Sequence, residues 1–422
     1  MTARRLSPIN CFTVLLVLSL SQLLASAETR LKPPATHIPT TYFGLHVHRA
    51  SETNWPSMPI GAYRLWDSFV TWSDIEPQKG QWDFKKLDND MALAEAHNAD
   101  VMLTLGQSPK WASARPSEGT VHPGGPAEPR DIDDWRNYVR TVATRYKGRI
   151  HEYEVWNEPN GHDFFTGGVA QLVRLSQEAY PILHEVDPSV IVVGPSPSPG
   201  GGTAFVEDYL RQGGGKYVDA IGYHFYVTPR PPEGMVDDIG KVKEIMARYG
   251  QGGKPLWDTE TGYFIQSQTI EVKPSGPFVV LAPDQAMAYI ARAHILNWAA
   301  GVTRLYWYGW DDGYQGLAES KGTMPKPVAG AYAQIEKWLT GAVMTYCVSN
   351  ADAAGTWVCA IQRDGGYVGH LVWNPGGSRS LKVPADWGAQ TERDLSGGVS
   401  SLRGAKEIQV GIKPVLVENK AQ

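Results

Sequence analysis

The chain has no basic stripe and no long run of charge of either sign. Its 39 Lys and Arg against 44 Asp and Glu leave a formal charge of -5, with a pI near 6.1. That balance excludes a nucleic-acid or polyphosphate binder working through a cationic face. No Gly-rich phosphate turn follows the first apolar run, which leads into His46-Val47-His48, so an open doubly wound sheet built around a nucleotide is disfavoured. Cysteine is scarce, with three residues in 422. Cys11 precedes the apolar core of the N-terminus and cannot be a lipidated Cys following a leader. The longest apolar run, Phe12 to Leu24, is too short for a confident membrane span. Behind Arg4 and Arg5, and ahead of Ala25-Ser26-Ala27, it reads as a secretory signal covering residues 1–27, with an uncleaved anchor as the alternative. No stable membrane insertion is expected once it is cleaved, and the expected location is secreted or periplasmic. Export favours a disulfide between the remaining Cys347 and Cys359, with reduced buried thiols as the alternative.

What is present is aromatic and rhythmic. The chain carries 15 Trp and 19 Tyr against 10 Phe, amphipathic rings suited both to a large core and to stacking on sugar faces. After a Pro/Thr-rich lead, eight apolar runs predict strands at Tyr42–Val47, Ile60–Trp66, Asp100–Gly106, His151–Trp156, Val190–Gly194, Tyr217–His224, Pro255–Glu260 and Thr303–Tyr308. Helical patterns fit between most of them: Leu87–Asn98, Ile132–Tyr146, Val169–Glu185, Phe205–Gln212, Val236–Tyr249 and Pro283–Ala300. The first connection lacks one and reads as a loop or short turn. Eight alternations over residues 28–340 predict an α/β fold, a (β/α)8 barrel whose site gathers at the C-terminal strand ends. From Gly341 onward, short alternating runs with Gly, Asn and Asp turns predict a small antiparallel β domain, sandwich-like, over residues 341–422. The Pro/Gly run at 195–202 reads as a loop on the catalytic face.

Two strand ends carry carboxylates. Trp156-Asn157-Glu158-Pro159 closes the fourth strand and Trp257-Asp258-Thr259-Glu260 the seventh. Two carboxyls in one cleft are the minimum for cutting a glycosidic bond. Glu158 suits the acid/base, with the Asn157 amide placed for a sugar hydroxyl. Glu260 suits the nucleophile, Asp258 being a deeper rival of the same strand parity. A nucleophilic carboxylate needs donors, and Arg64 and Tyr226 are the candidates, against a barrel-interior ion pair and a core hydroxyl. His224 shares a face with Tyr226. Trp310 is expected as the sugar platform in preference to Trp307, with Trp66, Trp72 and Trp111 lining further subsites or packing loops.

His46 and His48 raise a metal alternative, since barrel amidohydrolases begin with His-x-His on the first strand. Their Lys on the fourth strand and His on the fifth are missing; Asp311 is the one remaining match. No metal or other cofactor is therefore called for, and His48 reads as a donor to sugar hydroxyls or a packed histidine.

The eight strands with Asn157-Glu158 and Glu260 resemble the clan A retaining glycoside hydrolases. The trailing β domain and His224-Phe225-Tyr226 are most similar to glycoside hydrolase family 39, which includes β-xylosidases, α-L-iduronidases and enzymes trimming biofilm polysaccharides. The resemblance implies double displacement on a β-linked glycan, with Glu158 as acid/base, Glu260 as nucleophile and Arg64, His224 and Tyr226 in support. The expected partner is an oligo- or polysaccharide. The alternatives are a non-catalytic glycan-binding barrel and a transglycosylase.

Overall fold

The computed structural model describes residues 28–119, 122–274, 276, 278–349 and 355–420. The expected signal segment and Cys11 lie outside them. Among the described residues, no helix is long and apolar enough to cross a membrane.

Eight parallel strands close into a barrel: β1 (Phe43–His46), β2 (Ala62–Leu65), β3 (Asp100–Leu105), β4 (Glu152–Val155), β5 (Ile191–Pro195), β6 (Ala220–Tyr223), β7 (Leu256–Thr261) and β8 (Val302–Trp307). β8 pairs with both β1 and β7, which completes the closure. Each expected apolar run coincides with one of these strands; five runs contain theirs, and the strands ending at Pro195 and Thr261 and the one starting at Val302 extend one residue beyond. Around them lie α1 (Lys85–Ala96), α2 (Ile132–Arg145), α3 (Val169–Val186), α4 (Gly202–Arg211), α5 (Gly234–Arg248), α6 (Pro283–Ala300) and α7 (Pro327–Leu339). As expected, turns and bends join β1 to β2. α7 went unforeseen because its apolar run passes straight into the change of pattern at Trp338-Leu339. It starts with Pro327 in the first turn, where the missing N–H costs nothing.

Strand parity sets the interior. Ala62, Met102, Val193, Ala220, Trp257 and Tyr306 form one apolar cluster of the strands. Gly44 makes room for it: a Cβ there would stand 2.4 Å from the Tyr306 ring. Charged side chains are buried alongside. Tyr306 donates to Glu152 at 2.7 Å, and Arg304 pairs with Glu152. Farther along the strands toward the mouth, Arg64 pairs with Glu154.

The C-terminal region is an antiparallel seven-stranded sheet plus a two-stranded one. Thr29–Leu31, in the lead ahead of the barrel, pairs with Cys347–Ser349 at the edge of that sheet. Such a long-range pairing leaves no local signal. Cys347 and Cys359 stand opposite each other on adjacent strands and are joined as a disulfide. Leu371 and Trp373 of the sheet share one continuous core with the barrel helices.

Candidate active site

The ends of β4 and β7 bring Glu158 and Glu260 to one cavity of about 440 Å³. The backbone turns sharply after β4: Trp156 (φ 71°) and Glu158 (φ 43°) both lie in the left-handed region. Conformations so rarely adopted by L-residues persist where surrounding contacts dictate them, commonly at functional sites. Here the Glu158 N–H donates to Ser196 O at 3.1 Å, and the Trp156 ring is buried under the loop that follows, donating to Phe164 O.

Arg64, fully buried on β2, organises the floor. Its guanidinium donates to Glu154 (2.6 Å), Glu260 (2.8 Å) and the Asn157 carbonyl oxygen (2.7 Å). Arg64 thus joins an interior ion pair with Glu154 to a contact with Glu260. Because the Asn157 oxygen is engaged, its amide nitrogen is the group available to a ligand. Tyr226 donates to the other Glu260 oxygen at 3.0 Å. His224 Nδ1 lies 2.9 Å from Glu158 and 3.8 Å from Glu260. Burial pushes the Glu260 carboxyl up from its ordinary value, while His224 and Arg64 pull it down and the charge of Glu158 adds to the rise. Asp258, the rival, is fully buried and accepts from the Phe225 N–H at 3.1 Å. Burial holds its carboxyl well above the usual range.

Glu158, His224 and Glu260 each offer a ligand atom within 4.8 Å of the others, the one such acid and histidine cluster among the described residues. His46, His48 and Asp311 do not form one. His46 turns to Arg64 at 3.3 Å, and burial beside that cation holds its pKa well below the ordinary value. Asp311 instead accepts from the backbone N–H groups of His48 and Arg49. The His48 ring lines a second cavity.

Trp310 is not the platform. It is buried at 1% exposure and its indole donates to Asn54 O. The chain has left strand geometry there, the Trp310 N–H bonding back to His46 O. Trp307 points away from the axis and stacks on His294 of α6. Tyr308, two residues beyond the inward Tyr306, lines the cavity instead and donates to Asp67 at 2.8 Å. Shared strand parity with Tyr306 is the sequence signal for Tyr308. Trp66 lines the site, whereas Trp72 and Trp111 pack edge to face and bond to Glu76. Ser198, Pro199 and Gly200 do reach the cavity, as do Phe264 and Phe278 of the stretch after β7.

A closed parallel barrel with paired carboxylates after β4 and β7 resembles, in architecture, the clan A retaining glycoside hydrolases. More narrowly, residues 64–252 match the family described as Glycosyl hydrolases family 39. The chain is 22% identical over 253 residues to endo-1,4-beta-xylanase C of Paenibacillus barcinonensis, covering 53% of this chain and 22% of that protein. It is 27% identical over 169 residues to a beta-xylosidase of Caldicellulosiruptor saccharolyticus, covering 36% and 34%. The chain thus spans between 22% and 34% of the length of these relatives. In structure it is similar to a family 39 glycoside hydrolase from Bacteroides cellulosilyticus (TM-score 0.70, 19% identity, 90% of this chain and 81% of that one). It is also similar to a family 39 beta-xylosidase from Caulobacter crescentus (TM-score 0.63, 16% identity, 92% and 98%). At such identities the likeness concerns the fold.

Proposed function

We propose that the protein is an exported retaining glycoside hydrolase that cuts β-glycosidic bonds of an extracellular oligo- or polysaccharide. The observation that carries this is the closeness of the two carboxylates. Oxygen atoms of Glu158 and Glu260 within 4.8 Å fit the roughly 5–5.5 Å separation of a double displacement and leave no space for the attacking water of an inverting site, which needs about 6.5–9.5 Å. Glu260, ionised and held by Arg64 and Tyr226, attacks the anomeric carbon. Glu158 protonates the departing oxygen, then draws a proton from water to release the sugar. Asn157 offers its amide to the hydroxyl beside the reacting carbon.

The charge around the cleft argues against an acidic sugar. Arg64 is committed to Glu154 and Glu260, Arg115 to Glu118 and Glu128, and Arg230 to Asp238. The names of the two curated relatives make β-1,4-xylan the first substrate to try. Export rests on the pattern of residues 1–27, and N-terminal sequencing of the mature protein tests it: an intact Met1 in the extracytoplasmic fraction would contradict cleavage. Release of reducing ends from a glycan panel tests the hydrolase. Wild type is expected to release them while Glu158→Gln and Glu260→Gln do not; sugar retention without release would mark a binding protein.

A further inference from the structure

Next to the catalytic cavity lies a second of about 630 Å³. Trp66, Asp67, Phe164 and Tyr308 line both, so the two adjoin across four side chains. Each volume lies within the range of about 300–1,000 Å³ typical of ligand sites. The floor of the second cavity holds His48, 5% exposed, whose Nε2 has no hydrogen-bond partner. Its rim holds Phe69, an apolar ring left 49% exposed on a residue in the left-handed region (φ 57°). An aromatic side chain rarely adopts that backbone conformation, and the surrounding chain maintains it here. The Arg49 guanidinium lies 5.6 Å from the ring centroid. Among the described residues, Asp67, Asp74, Asp163 and Asp312 of this lining form no ion pair, and Arg49 is its one Lys or Arg.

We propose that this second cavity is a glycan subsite in which Phe69 stacks on a neutral or amino-bearing sugar, so that a chain lies across both cavities and is cut internally. The proposal rests on the hydrolase reading above and adds the mode of attack and a specificity-determining residue. The open, ring-bearing cavity beside the reacting sugar leaves room for the chain to continue past it. The unpaired aspartates repel uronates.

The test uses the full-length protein with reducing-end-labelled β-linked hexasaccharides of xylose, glucose, mannose and glucosamine, together with the aryl monoglycoside of each sugar. Wild type is expected to give products of two to four sugars first. Phe69→Ala, with an unchanged thermal midpoint, is expected to raise KM for the hexasaccharide that is cut about tenfold and to leave the aryl glycoside untouched. Stepwise loss of single sugars from a chain end, or equal effects of Phe69→Ala on both substrates, would overturn the subsite. Absence of cleavage across every substrate would count against the hydrolase reading itself.

Discussion

The Tyr226 hydroxyl is one of the donors to the Glu260 carboxyl. The O–H donates to the ionised carboxylate, so removing it in Tyr226→Phe takes stabilisation from the charged form and raises the Glu260 pKa further. The acid limb of kcat/KM is expected to move to higher pH, with a loss of about tenfold at the acid end; an unmoved limb would mean that Tyr226 does not govern the nucleophile. Stability follows the same sign. Burial raises the folded-state pKa of Glu260 above its unfolded value. Its contribution is therefore fully present below the ordinary carboxylate range and is lost as pH rises through the folded value. Glu260→Gln removes that dependence, so its urea midpoint should gain on wild type as pH rises from about 4 to 7. Glu158→Gln is expected to slow hydrolysis of a glycan by about 10²–10⁴-fold. A dinitrophenyl glycoside, whose leaving group needs no proton, should lose far less at the bond-breaking step, and pre-steady-state release of the phenol measures it.

The elements position these residues through parity, and parity also separates what was legible from what was not. Glu158, Glu260, Arg64 and Asn157 stand at or just past the ends of short apolar runs whose order along the chain is the order around the barrel, so a linear reading locates them. Trp310 was misplaced because period-two reasoning stops where the strand stops: after Tyr308 the chain folds back on His46. Phe69, Asp67 and Phe164 sit on βα loops, which have no period to read. Their function depends on loops meeting in space, as when Arg115, after β3, reaches Thr166, after β4. Two substitutions check the corrected assignment. Trp310→Phe removes a buried indole bond and should cost about 1–2 kcal/mol of stability with KM unchanged. Trp66→Ala should raise KM.

At the scale of the molecule, barrel and C-terminal sheet behave as one core. Trp373 of the sheet donates to Glu233 at 2.9 Å, and Glu233 is paired with Arg292 of α6. Thr29–Leu31 clasps the far edge of the sheet. A single calorimetric transition is expected, since unfolding the sheet alone would bare the apolar face it shares with the barrel helices; two separated transitions would contradict a shared core. The central claim, however, is that Glu260 bonds the sugar while Glu158 moves the proton. NMR of the first product formed from a substrate of defined anomeric configuration tests it most directly. The new reducing end is expected to appear with the configuration of the bond that was cut and then to mutarotate. An initial product of opposite configuration would contradict it.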